Sequence, residues 1–145
     1  MSDTLHIVCP HCHTTNRVKR EQLGSAPDCG HCHRALFAGH STALDEAAFD
    51  RHVARNEIPV LVDFWAPWCG PCRQMAPGFE QAAARLEPEV RLAKVDTEAV
   101  PSLGARFGIR SIPTLVLFKG GREVARQAGA MGAGDIGRRA RAHAR

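Results

Sequence analysis

Val62-Asp63-Phe64-Trp65-Ala66-Pro67-Trp68-Cys69-Gly70-Pro71-Cys72-Arg73 joins an apolar run to a helical one across a Cys-x-x-Cys pair. Residues 59–65 are apolar throughout except for Asp63, the pattern of a central strand buried on both faces. A helical stretch follows over about 72–86, with Pro77 expected to kink it. A cysteine that opens a helix meets free N–H groups and the positive end of the dipole, and both stabilise its thiolate. That thiolate is the attacking species in disulfide exchange. Cys72 lies one turn along, placed to attack a mixed disulfide formed at Cys69. Gly70 gives the backbone freedom there, and Pro71 suits a first helical turn. The pair therefore reads as an electron-exchanging dithiol at a strand-to-helix turn.

Outward from this stretch the pattern alternates. A helix is expected over 43–56, with Asp45 and Glu46 in its first turn. A strand at 90–95 and a helix at 100–107, ended by Gly108, come after the redox pair. Strands at 114–118 and 123–127 flank Gly120-Gly121, a hairpin signal. A weak last helix starts near residue 134, with only Ile136 and alanines on its apolar face. Gly137 inside it costs about 1 kcal/mol relative to alanine. That helix is expected to be the least firmly packed part. The order helix, strand, helix, strand, helix, hairpin, helix predicts an α/β class: a mixed central sheet flanked by helices on both faces.

The other four cysteines have a different context. Cys9-Pro10-His11-Cys12 and Cys29-Gly30-His31-Cys32 are 16 residues apart, spacing suited to a four-sulfur zinc site. Residues 1–36 have no long apolar run and need a staple to fold. One structural zinc ion on Cys9, Cys12, Cys29 and Cys32 would supply it, and oxidation of its thiolates leaves a redox-responsive role for the module open. The expected organisation is a four-cysteine zinc ribbon at 1–36, a linker at 37–42 and a larger domain at 43–145. Neither pair has room around it for a redox domain of its own. Each pair precedes a histidine, His13 or His33, which creates a haem-attachment string. Covalent haem normally requires export, so that reading is set aside. His11, His13, His31 and His33 are read as solvent-facing or supporting residues rather than ligands.

The residues quoted first resemble the signature of the thioredoxin family. Lys94-Val95-Asp96, Phe107-Gly108-Ile109-Arg110-Ser111-Ile112-Pro113-Thr114, Phe118-Lys119-Gly120-Gly121 and Gly129-Ala130 continue the resemblance in order. The stretches 9–17 and 29–37 extend the resemblance to the bacterial thioredoxin 2 type, which carries an N-terminal zinc ribbon. The resemblance implies a thioredoxin fold and a protein-disulfide reductase, a thiol–disulfide oxidoreductase. It makes Cys69 the nucleophile and Cys72 the resolving thiol. It places Asp63 behind Cys72 as a proton acceptor, lets Lys94 tune that acid, and makes Pro113 a cis-proline facing the pair. It assigns substrate contact to Trp68, Gly70, Pro71, Ile112, Gly129 and Ala130, with the backbone at Ile112 pairing with the substrate as an added strand. On the residues alone, Asp63 as a hydrogen-bonded strand residue and Lys94 as a solvated one stay open. The resemblance also implies disulfide-containing substrate proteins and an NADPH-dependent thioredoxin reductase as partners, and no bound organic cofactor. The rival reading is a zinc-ribbon binding or chaperone adaptor that uses the thioredoxin domain as scaffold.

Bulk properties fit. The 145 residues are 44% apolar and carry a formal charge of +4. A four-thiolate zinc site would add -2 and leave about +2. Arg138, Arg139, Arg141 and Arg145 read as a solvated last turn at the negative end of a dipole. No aromatic residue is interleaved with them, so no nucleic acid partner is expected. No apolar run reaches ~18 residues, so no membrane span is expected. Residues 1–6 lack a basic segment leading into an apolar one, so a secretory signal is not expected and the cytoplasm is. Thiols there stay mostly reduced, which disfavours three static disulfides.

Overall fold

The computed structural model describes residues 3–144, so Met1, Ser2 and the Arg145 of the basic terminus lie outside the described part. The chain opens with an antiparallel hairpin, β1 (Thr4–Val8) and β2 (Thr15–Lys19), running in register from Thr4 opposite Lys19 to Val8 opposite Thr15. Leu5, Ile7 and Val18 from this hairpin pack with Leu36, Cys9 and Cys29, and Ile58 from the larger domain joins them. The connector is anchored rather than loose. The N–H of Gly39 donates to Glu87 Oε1 at 2.8 Å, and that of Ser41 to Glu80 Oε1 at 2.9 Å.

The connector leads into a five-stranded mixed sheet. After a single 3-10 turn at Arg20–Gln22 the elements in chain order are β3 (Thr42–Ala43), α1 (Glu46–Arg55), β4 (Val60–Trp65), α2 (Gly70–Leu86), β5 (Arg91–Asp96), α3 (Pro101–Arg106), β6 (Thr114–Lys119), β7 (Arg122–Ala128) and α4 (Ala133–His143). Across the sheet the order is β3-β5-β4-β6-β7. β4 is central, parallel to β5 and antiparallel to β6. Its side chains alternate in the period of two that a pleated strand imposes. Val60, Val62 and Phe64 join α1 and α3 through Phe49, Val53 and Leu103. Leu61 faces the other layer, with Met75, Phe79 and Leu86 of α2 and Ile136 of α4. Asp63 shares the parity of Leu61 and so lies on the α2 side. Phe49 meets Phe107 and Phe118 with ring centroids 5.4 and 5.5 Å apart, and truncating it to alanine would cost about 3–5 kcal/mol.

Most elements match the sequence expectation to within a residue or so, but the first two helices begin elsewhere. The first helix begins at Glu46, because Asp45 is its cap and accepts the Ala48 N–H at 2.8 Å. Thr42 and Ala43 instead pair in parallel with Ala93 and Lys94. The second helix begins at Gly70, two residues early, and is continuous through Pro77. α4 is better seated than its composition suggests. Ile136, Gly137 and Ala140 are buried in it. Gly78 lets α2 approach closely, since a Cβ there would meet the Ala133 backbone nitrogen at 3.3 Å.

Candidate redox site and metal centre

The end of β4 delivers the chain to the mouth of α2. Cys69 is the N-cap of α2 in extended conformation, and its sulfur accepts the Cys72 N–H at 3.2 Å. Cys69 and Cys72 are joined as a disulfide, with Cα atoms 5.3 Å apart. Pro71 sits in the first turn, where no intrahelical N–H bond is needed. Cys69 is only 4% exposed, while its neighbour Trp68 is 69% exposed. The sulfurs therefore open through a small window beside a flat indole. Across from them the Ile112-Pro113 peptide is cis. The Ile112 carbonyl oxygen lies 3.6 Å from Cys69 Sγ. Gly129 donates its N–H to the Pro113 carbonyl at 2.9 Å with φ of 100°, a conformation that favours glycine. That bond carries exposed Gly129 and Ala130 to the rim of the site. Sequence reasoning assigned no role to Thr97, Arg110 or Ser111. Together with Trp68 and Ile112, neighbours of Cys69 and Pro113 in the chain, they line a groove of about 300 Å³. Its walls come from three separate segments, which local patterning does not connect.

Asp63 is fully buried, and neither carboxylate oxygen has a hydrogen-bond partner. Burial pushes its pKa up to about 7, against the lowering influence of Lys94. Lys94 lies opposite Asp63 in the β4–β5 register. Its ammonium does not bond that acid; it rests over the Trp65 ring, 4.4 Å from the centroid.

At the other end of the chain the two knuckles repeat one geometry. Cys9 N–H donates to the Thr14 carbonyl and His13 N–H to the Cys9 carbonyl, at 2.9 and 3.0 Å. The same pair of bonds recurs at Cys29, with Arg34 and His33, at 2.8 and 2.9 Å. His13 and His33 close the knuckles with φ of 62° and 65°, a region where histidine is several-fold enriched. The four sulfurs of Cys9, Cys12, Cys29 and Cys32 all lie within 4.8 Å of one another. Cys9–Cys32 and Cys12–Cys29 are each separated by 3.6 Å. A tetrahedron with Zn–S bonds of about 2.3 Å has an edge of about 3.8 Å, so the set fits that ion. N–H groups of His11 and His31 point at Cys9 and Cys29 sulfur, both at 3.3 Å, and Asn16 Nδ2 points at Cys29 sulfur at 3.4 Å. Burial raises the Cys9 thiol to about 12. Burial also opposes ionisation of Cys29, yet the N–H donors of Cys32, Asn16 and His31 outweigh it and bring that thiol to about 6. His11, His31 and His33 belong to no group of potential ligands found among the described residues.

Comparison with known proteins follows the same division. The family model described as Thioredoxin matches residues 40–141. The model described as Thioredoxin 2, N-terminal, a zinc ribbon, matches residues 8–34. Thioredoxin C-3 of Corynebacterium nephridii is 50% identical over 125 residues, 86% of each chain. Thioredoxin 1 of Synechococcus elongatus is 47% identical over 91 residues, 63% of this chain and 85% of its own. A solved mutant thioredoxin from Halobacterium salinarum superposes with a TM-score of 0.67 at 28% identity, covering 74% of this chain and 93% of its own.

Proposed function

We propose a division of labour for this chain from the premise that it belongs to the thioredoxin family. It is a thiol–disulfide oxidoreductase that reduces protein disulfides, with a zinc-ribbon module at its N-terminus. In our reading the Cys69 thiolate attacks one sulfur of a substrate disulfide. An S–S bond forms between Cys69 and the substrate, and the other substrate sulfur leaves as a thiolate. Cys72 then loses its proton to Asp63 and attacks Cys69 Sγ. The mixed disulfide breaks and the second substrate thiolate departs. Two electrons pass to the substrate, and Cys69–Cys72 is left oxidised. The observation that carries this reading is Cys69 at the helix N-cap, with the Cys72 N–H on its sulfur and the Ile112 carbonyl opposite. An N–H aimed at a helix-terminal sulfur stabilises the thiolate form.

An acid held near 7 is matched to a proton transfer at neutral pH. Lys94 bounds how high that value climbs. Trp68, Gly70, Pro71, Gly129 and Ala130 supply an apolar rim, and Ile112 and Pro113 present backbone to an extended substrate segment. Disulfide-bearing proteins are the substrates, and an NADPH-dependent thioredoxin reductase returns the dithiol. Cys9, Cys12, Cys29 and Cys32 hold one zinc ion, which cross-links the ribbon and takes no part in electron transfer. The modules divide as 1–36, 37–42 and 43–145. Among the described residues no helix is long and apolar enough to cross a membrane, and the reducing cytoplasm is the compartment that suits a reductase. The test is reduction of insulin disulfides. Cys69→Ser should abolish turnover, and Cys72→Ser should accumulate a mixed disulfide at Cys69. Normal turnover by Cys69→Ser would sink the reading.

A further inference from the structure

Both ends of the first knuckle are held from outside the ribbon. Val8 precedes Cys9, and its N–H donates to Asn56 Oδ1 at 2.8 Å. Its carbonyl accepts Arg91 Nη2 at 3.1 Å. His13 follows Cys12, and its Nδ1 lies 3.1 Å from His52 Nε2. Asn56 Nδ2 lies 3.2 Å from His52 Nδ1. These bonds assign one another. Asn56 uses its oxygen on the Val8 N–H, so its amide nitrogen donates to His52 Nδ1. His52 then carries its proton on Nε2 and donates to His13 Nδ1. His52 is fully buried, and burial drops its pKa to about 3, consistent with a neutral ring. Asn56 is 4% exposed and Arg91 is 0% exposed. Arg91 is further fixed by Glu87, at 2.7 Å, and by the Phe37 ring, 4.8 Å from its guanidinium carbon. The second knuckle is held differently, within the ribbon, where Asn16 Oδ1 accepts the Gly30 N–H at 2.8 Å.

We propose that Asn56, His52 and Arg91 are positioning residues of the metal centre, contributed by the catalytic domain, so that α1 and β5 set the metal affinity of the first knuckle. This inference rests on the zinc reading above. Groups bonded directly to a metal ligand change metal affinity about 10–100-fold when removed. Asn56, Arg91 and His52 act one step farther out, through Val8 and His13 that flank the ligands, and all three lie outside the segment that matches the ribbon family. Coupling of this kind is reciprocal: an ion that binds better to the clamped knuckle also stabilises the α1–β5 junction.

Zn²⁺ affinity of the full-length reduced protein, measured by competition with a chromophoric chelator, tests it. Asn56→Ala and the double variant Arg91→Met/Glu87→Gln, which removes the buried ion pair as a unit, should each bind Zn²⁺ several-fold more weakly, up to about 10-fold, the low end for groups bonded directly to a ligand. His13→Asn keeps a residue tolerant of positive φ, cuts the relay from the ribbon side and should also weaken binding. It decides the matter if the buried variants fail to fold. Co²⁺ absorption should shift in the same variants, a sign of altered ligand geometry. Glu57→Ala loosens only the half-exposed contact to His6 and should leave the affinity unchanged. Variants that match the parent, or a Glu57→Ala loss as large as that of Asn56→Ala, would overturn the clamp alone. A parent that binds no Zn²⁺ would overturn the metal reading and the clamp with it.

Discussion

Asp63 concentrates the conflict between stability and chemistry in one side chain. Its carboxyl is buried without a partner, and burial raises it from an ordinary 3.8 to about 7. Below about pH 3 both folded and unfolded chains hold the proton, so the ionisation of Asp63 does not affect stability. As pH rises towards 7 the unfolded chain ionises first, and the folded state loses stability on the order of 4 kcal/mol; above 7 the loss is constant. Asp63→Asn should therefore gain a few kcal/mol on the parent at pH 8, an advantage that disappears by about pH 3. Denaturant unfolding at the two pH values checks this. A variant no more stable at pH 8 would show that the acid is solvated or paired. The same substitution should slow resolution of the mixed disulfide, and the parent's resolution rate should climb with pH through about 7. A pH-independent parent would remove Asp63 from the proton path.

At the scale of elements, α4 offers a clean case of backbone cost. Gly137 lies buried in its interior, yet a Cβ there would meet only Arg141 Nη1 at an ordinary 3.5 Å. Gly137→Ala should raise unfolding free energy by about 0.5–1 kcal/mol, read from the denaturation midpoint. A loss instead would mean that α4 packs more tightly than its Cβ space indicates. Gly78 is the opposite case, because the Ala133 backbone blocks its Cβ at 3.3 Å; Gly78→Ala should destabilise. The core elements were legible because their period is long enough to read. Residues 59–65 announce a buried strand, and Gly120-Gly121 announces the final hairpin. β3 was not legible, since two residues have no period. The β1–β2 hairpin was not legible, because the alternation from Thr4 to Ile7 ends at Val8 and the partner strand carries one apolar residue, Val18. The redox pair and the four-sulfur set were readable from spacing and local context, whereas a role for Asp63 came only with the thioredoxin resemblance. His52, Asn56 and Arg91 were not, because their partners lie 39, 48 and 83 residues away in the chain.

The whole molecule separates its two cysteine chemistries in space. The ribbon docks where β4 and β5 begin, at Asn56, Ile58 and Arg91. The redox pair follows the far end of β4. Six residues at about 3.3 Å each put roughly 20 Å between them. Chelation should accordingly lower thermal stability, because Arg91 loses a carbonyl partner and Ile58 its cover, while turnover of the remaining folded protein changes little. A chelated protein with unchanged melting and abolished turnover would place the metal in the chemistry instead. On the proposed division, four sulfurs hold metal and two carry electrons. Metal analysis combined with thiol counting on the fully reduced, undenatured protein tests it most directly. One zinc per chain and two rapidly reacting thiols, with four more appearing only after chelation, is the predicted result. Six reactive thiols and no bound metal would contradict it.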